Sequence, residues 1–332
     1  MRSSQPLQII NSVAPIRICD NGGWTDTWFA GHGCVFNLAV SPYAQVQVAV
    51  RPYDGAGKRF NLFAENYGTR YAIDEPHGQY TKHPLREIPA NLQLDVAIYS
   101  EAPVGCSTGT SAAVSVALIG ALDQLTPGRM TPHETALAAH AIETKLLKQQ
   151  CGVQDQIASA YGGINYIDIF AYPNAAVSQI RVTADLWWEL DTRLVLMYIG
   201  HSHVSSRVHE MVIRELESAG PDCPKLAPLR ACAQRSKDAL YHGDLAALGQ
   251  AMIANTRAQE ELHPHLLGPG HRQIIDMARS FGALGWKVNG AGGEGGSVTL
   301  LMPPDSARKR QMIRTIEEAN SKYRNIPIHL SA

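Results

Sequence analysis

The residues with the most chemical promise lie in one stretch, residues 102–125, which reads APVGCSTGTSAAVSVALIGALDQL. Small and turn-prone residues, Pro103, Gly105 and Gly109 among them, run without a break into an Ala-rich apolar segment of helical character. A loop that ends at a helix N-terminus presents free backbone N–H groups at the positive end of the helix dipole, and small side chains let a phosphate approach them. An ordinary strand-to-helix connection has the same composition, so the stretch takes its meaning from residues elsewhere. Glu143 falls on one helical face with Ala136, Ala139 and Leu147. A carboxylate in such an apolar stripe needs a partner: a cation, a hydrogen-bond donor, or water at the edge of the stripe. Asp155, between Gln154 and Gln156, opens a short helix as a dipole-favoured cap or as a catalytic group. Near the N-terminus the loop NGGWTDT sets Trp24 close to Asp26. That pairing suits a polyhydroxylated ligand, with the carboxylate accepting from hydroxyls and the ring covering a C–H face; the alternative is Asp26 as a turn cap.

Other segments must hold these residues in place. Ile16 and Ile18 alternate with Arg17 and Cys19, and Leu92, Leu94, Val96 and Ile98 alternate with polar residues or alanine, so both runs predict strands. Further strands are expected from Cys34 onward and over 43–51, 60–65 and 71–73, with a surface connection over 75–89. Thr131-Pro132-His133-Glu134 is a capping box with proline at the first helical position, which starts a helix running through Leu147. Residues 171–190 mix turn residues with Trp187 and Trp188, while 194–200 read as a buried strand and 206–219, 225–242, 245–262 and 272–281 as helices. Strands are expected again over 298–302 and 326–330. Two domains follow, 1–180 and 181–332.

With 332 residues, 45% apolar and 18% charged, the chain has the composition of a folded protein that can bury a core. A formal charge of −1 gives no global surface for nucleic acid or membrane, and neither is expected as a partner. Cys19, Cys34, Cys106, Cys151, Cys223 and Cys232 are scattered without C-x-x-C spacing and read as reduced thiols. The N-terminus lacks the apolar core of a signal peptide, so a cytoplasmic location is expected. Gly290, Gly292 and Gly295 satisfy G-x-G-x-x-G, but a strand follows them, not the helix that a dinucleotide site opens, and no Walker P-loop occurs.

Four features stand in a particular order: Ala14-Pro15-Ile16-Arg17 with Gly23-Trp24-Thr25-Asp26, the 103–113 loop, a helical Glu143 followed by Gln154-Asp155-Gln156, and Lys287 with Gly290-Ala291-Gly292. Together they resemble the GHMP kinases, the superfamily of galactokinase, homoserine kinase, mevalonate kinase and phosphomevalonate kinase. Gly22-Gly23-Trp24-Thr25-Asp26-Thr27 is most similar to the sugar-kinase branch of fucokinase and heptose-phosphate kinase. The resemblance implies an α+β fold of two domains: an N-terminal ribosomal-protein-like α/β domain and a C-terminal helix-rich α+β domain. It implies ATP as donor, Mg²⁺ as cofactor, and a sugar or sugar phosphate as acceptor, phosphorylated at the anomeric hydroxyl, in a monomer or homodimer. Pro103, Gly105, Ser107, Thr108, Gly109, Thr110, Ser111 and Ala112 would cradle the phosphates; Thr110 or Ser111 with Glu143 would hold the metal. Asp155 would act on the sugar hydroxyl with Arg17 beside it, and Gly23, Trp24, Asp26, Gly290, Ala291 and Gly292 would bind substrate. The alternative is a catalytically silent sugar or nucleotide sensor on the same fold. Two departures from the family pattern bear on nucleotide binding, Ser107 where glycine is usual and Glu294 in the late glycine run.

Overall fold

A computed structural model of the chain describes residues 5–55, 57–72, 88–200 and 207–331. Two long strands, β1 (Gln8–Asn21) and β2 (Gly33–Pro52), form an antiparallel ribbon that the rest of the first sheet is built on. The later half of β2 pairs with β5 (Leu92–Ser100) and its first half with β6 (Ile164–Ala171). Outside β5 lie β3 (Phe60–Ala64), parallel to it, and β4 (Thr69–Ala72). Outside β6 lies β7 (Asn174–Gln179), which gives the order β4-β3-β5-β2-β6-β7, with β1 along β2. Part of the expected strand over 71–73 and most of the connection over 75–89 lie outside the described residues.

Three helices cover this sheet: α1 (Thr110–Asp123), α2 (Pro132–Ala141) and α3 (Gln154–Tyr161). Thr131 and Glu134 form the expected capping box, with Pro132 at the first position. The helix does not run on to Leu147, however; α2 ends at Ala141 and Ile142–Leu146 is a π turn carrying Glu143. Such turns shift the side chains of a helix out of register and recur at functional sites.

Residues 171–190, where turn residues mix with Trp187 and Trp188, contain β7 and most of α4 (Ala184–Arg193), whose N-cap Thr183 accepts from the Leu186 N–H. The second sheet has the order β11-β8-β10-β9, from β8 (Leu194–Tyr198), β9 (Gly285–Val288), β10 (Ser297–Leu301) and β11 (Arg324–Ile326). The intervening helices are α5 (Arg207–Ala219), α6 (Ala227–Tyr241), α7 (Leu245–Leu262) and α8 (Pro269–Ser280), with α9 (Ser306–Ala319) before β11. Both faces of β8 are buried. Leu194 and Leu196 enter the main core, which also takes Ala233 and Leu248 from α6 and α7, while Val195 and Met197 join a second core with Ile274 and Met312. That alternation explains why the strand reads as an unbroken apolar run.

The expected strand over 326–330 divides in two. β11 ends at Ile326, before Pro327, which has no N–H to donate. The tail then returns to the first sheet, where Leu330 bridges Val40 and the Ser331 N–H donates to Ala39 O at 2.9 Å. No helix among the described residues is long and apolar enough to cross a membrane.

Candidate active site

Segments distant in sequence converge at the N-terminal end of α1. β1 delivers Arg17 between two irregularities of its pairing with β2, at Pro15/Ile16 and between Ile18 and Asn21. Bulges of this kind re-aim side chains. The guanidinium grips Asp155 through two bonds, Nε to Oδ1 at 2.8 Å and Nη2 to Oδ2 at 3.2 Å. Nη1 donates to Ser107 O at 2.5 Å, and the Arg17 backbone N–H donates to Thr108 O at 2.9 Å. The small-residue loop is thereby fastened to β1 at the root of Arg17. Burial works against the Arg17 charge, but the carboxylates of Asp155 and Asp20 outweigh it and its pKa is raised.

Asp155 occupies the first turn of α3, and 29% of its side chain remains open to solvent. Gly109 caps α1 with φ 72°, and a Cβ built there would lie 3.1 Å from Asp155 Cγ. Loop and carboxylate are in contact, so this glycine is required twice over, by its backbone angle and by close approach. Gly105 also takes positive φ, and Cys106 N–H closes a turn on Pro103 O at 3.2 Å. Ala112 faces the core, leaving only its backbone near the loop.

Ser107 is left-handed at φ 60°, a conformation that costs a non-glycine residue about 1–2 kcal/mol. Its side chain fills space left by two late glycines: a Cβ on Gly290 would come within 3.1 Å of Ser107 Cβ, and one on Gly296 within 2.6 Å of its Oγ. Contact with the second half of the chain therefore holds the serine in that conformation. Glu294, the other departure from the family pattern, is exposed.

Glu143 is 4% exposed. Its Oε2 accepts from Gln156 Nε2 at 3.0 Å, while Oε1 is buried with no hydrogen-bond partner. Burial, then the nearby charge of Asp155, push its pKa up to about 7; the Ser111 hydroxyl and Cys151 thiol lie beside it and oppose the shift. An unpartnered carboxylate oxygen next to a hydroxyl at a helix N-terminus fits Mg²⁺, a hard cation that takes oxygen ligands. Thr110 Oγ1 instead lies 3.4 Å from Thr108 Oγ1, so Ser111 is the hydroxyl at Glu143. Among the described residues no three His, Cys, Asp or Glu gather into a metal cage. An ion here would complete its shell from phosphate oxygens and water.

On the other side of Asp155, Asp26 is 2% exposed and its Oδ2 accepts from the Gln154 N–H at 3.0 Å. It therefore caps α3, the helix that carries Asp155. Gly152 permits this, since a Cβ there would sit 2.0 Å from Asp26 Oδ2. Burial raises the Asp26 pKa to about 6 against the Gln154 hydrogen bond. Trp24 is not an open platform. At φ 76° it turns into a buried cluster, its ring 6.4 Å from Phe29 and 5.8 Å from His209. Gly23 N–H donates to Asp20 O at 3.1 Å. Gly290 faces the site from the β9–β10 loop, whereas Ala291 packs against the Trp24 cluster and Gly292 abuts Leu266 O, 2.3 Å from where its Cβ would be.

Three groups of residues here escaped the sequence reading. Tyr172 OH donates to Cys151 O at 3.0 Å and bonds His140 Nε2 at 2.8 Å, securing the loop into α3; burial lowers the His140 pKa to about 4. Asn255 Oδ1 accepts from the Gly22 N–H at 2.8 Å, so α7 holds the Gly22–Gly23 turn. Asp20 and Lys287 form a buried pair at 3.1 Å beneath Arg17. Only Lys287 carried a signal in the sequence, as the first residue of the late glycine motif.

The chain belongs to the GHMP kinase family, and a phosphotransferase with an alcohol acceptor fits that family. Residues 79–163 match the GHMP kinases N terminal domain and residues 236–321 the GHMP kinases C terminal domain, together just over half of the chain. It is 24% identical to the Arabidopsis thaliana bifunctional fucokinase/GDP-fucose pyrophosphorylase over 92% of its own length, but spans only 31% of that protein. With the Methanothermobacter thermautotrophicus mevalonate kinase it shares 29% identity, over 83% of this chain and 87% of the relative. A D-glycero-D-manno-heptose 1-phosphate kinase from Bacteroides thetaiotaomicron has the same fold, with a TM-score of 0.73 at 20% identity, over 98% of this chain and 96% of that one.

Proposed function

We propose that this chain is an ATP- and Mg²⁺-dependent kinase of a sugar or sugar phosphate, with the anomeric hydroxyl as acceptor. The observation that carries the reading is the contact of Asp155, held by two bonds from Arg17, with Gly109 at the N-terminus of α1. Donor and acceptor sites then share one wall. Phosphoryl transfer asks a protein mainly to position reactants and to neutralise charge that spreads over the transferring group. Backbone N–H groups of the 103–112 loop and the α1 dipole would take the triphosphate. Asp155 would accept a hydrogen bond from the attacking hydroxyl and then its proton. Arg17 keeps that carboxylate oriented and offers positive charge at the point of transfer. Glu143 and Ser111 would hold Mg²⁺, which when bound neutralises phosphate charge.

Around the reacting hydroxyl, a polyol suits the acceptor side better than an acid such as mevalonate. Asp155 lines that side, and the cation beside it, Arg17, already serves it. Carboxylates accept from hydroxyls and repel another carboxylate. The Gly22–Thr27 loop similarity and the fucokinase and heptose kinase relatives support a sugar.

The test is a screen of monosaccharides, their phosphates and mevalonate with ATP and Mg²⁺, following ADP release and the phosphorylated product. The reading expects turnover on a sugar or sugar phosphate. Turnover on mevalonate alone overturns the acceptor class. No transfer at all, with a sugar raising Tm, makes the chain a sensor.

A further inference from the structure

Lys287 is among the largest fully buried side chains, with 1% exposure, and a buried ammonium is costly unless it is matched. Its Nζ lies 3.1 Å from Asp20 Oδ1 and donates to Gln259 Oε1 at 3.2 Å and to Val288 O. Gln259 Nε2 donates to Gly290 O at 3.0 Å, and the Gly290 N–H donates to Asp20 Oδ2, also at 3.0 Å. Lys287, Asp20, Gly290 and Gln259 thus close a ring that pins both polar groups of the Gly290 backbone. Asn289, next in the chain, accepts from the Cys19 N–H at 3.1 Å and from Thr299 Oγ1 at 2.9 Å, which locks the ring against β1 and β10.

The ring adjoins the catalytic pair. Asp20 Oδ2 is 4.0 Å from Arg17 Nη1, so Arg17 stands between two carboxylates, hydrogen-bonded to Asp155 and only in long ion-pair contact with Asp20. In a buried site an unmatched Asp20 would draw the guanidinium toward itself, because charge pairs strengthen as water is excluded. We propose that Lys287 is a positioning residue: by neutralising Asp20 it leaves Arg17 to Asp155, and through Gly290 it holds the late glycine loop against the site. Asp20 and Asp155 then each have their own cation, Lys287 and Arg17. A purely structural pair would be replaceable by apolar residues at no cost to the site, since well-packed hydrophobes often match or exceed a buried ion pair in stability. The inference rests on reading Arg17 and Asp155 as the catalytic pair, but its first test does not.

That test is the crystal structures of Lys287→Met and of Asp20→Asn/Lys287→Met. In the single variant Arg17 is expected to close on Asp20 to hydrogen-bond distance, about 3 Å, and to release Asp155; in the double variant it returns to Asp155. Arg17 still paired with Asp155 in the single variant overturns the inference. If Lys287→Met does not fold, the double variant decides. A folded double with Arg17 on Asp155 supports the charge-matching role, and a double equally unable to fold contradicts it. With the acceptor found in the screen, the single variant should lose roughly a hundredfold in kcat with little change in KM, and the double should recover most of it. Correct Arg17 movements with no change in kcat would instead sink the catalytic reading of Arg17 and Asp155.

Discussion

Replacing Asp26 by asparagine should make the protein more stable and its active site worse. The carboxylate is buried and its pKa rises from 3.8 to about 6. A carboxyl group with a raised folded-state pKa binds more protons when folded than when unfolded between those two values. It therefore favours unfolding progressively as pH climbs from 3.8 through 6, and the full penalty stands above 6. From the two pKa values the penalty is about 3 kcal/mol at pH 8 and about half of that at pH 5. Asparagine is nearly the same shape, and its Oδ1 can still accept from the Gln154 N–H, so α3 keeps its cap. At roughly 2 °C per kcal/mol for a chain of this size, Asp26→Asn should gain about 6 °C in Tm over wild type at pH 8. The assay is the Tm difference between variant and wild type across pH 5–8. Taking the difference cancels every titrating group that does not interact with Asp26, and any constant cost of the new amide shifts the curve without tilting it. A flat difference would refute the claim that Asp26 is held ionised against its burial.

Gly109→Ala places a Cβ 3.1 Å from Asp155 Cγ at a backbone angle that costs about 1–2 kcal/mol, and steady-state kinetics should show kcat reduced at least roughly tenfold with a lowered Tm. Wild-type kcat in a folded Gly109→Ala protein would argue against contact between loop and base. Glu143→Gln should raise the Mg²⁺ concentration for half-maximal velocity at least roughly tenfold, a loss of about 1.4 kcal/mol in metal binding, because it removes the one carboxylate assigned to the ion. A Mg²⁺ titration that coincides with wild type would move the metal elsewhere.

What could be read from the sequence was local. A strand, a small-residue loop and an apolar helix follow one another over residues 92–123, and the chemistry of a helix N-terminus needs nothing more distant. The same holds for the Thr131 capping box and for Asp155 in the first turn of α3. What escaped depends on contacts between remote segments. Trp24 reads as a platform until its positive φ and the ring of His209 show that it turns inward. Asp26 gives no hint that α3 folds onto it through the space Gly152 leaves open. Helical periodicity puts Glu143 in an apolar stripe but leaves open whether water at its edge meets the carboxylate; the π turn buries it by a geometry that periodicity does not encode. Asp20 and Lys287 come from opposite ends of the chain, and neither strand pattern marks a buried charge. Ser107 looks like a defect in a glycine loop until Gly290 and Gly296 are seen to make room for it.

The most direct test of the central claim is Asp155→Asn, assayed for phosphoryl transfer beside its affinity for ATP. The substitution removes the proton acceptor and little volume, and asparagine can still accept a bond from Arg17. The account predicts that product formation falls by roughly 10²–10⁴-fold, the span typical of lost general-base catalysis, while Tm and the ATP dissociation constant stay near wild type. Wild-type turnover in this variant would contradict the account and return Asp155 to the role of a helix-terminal acid.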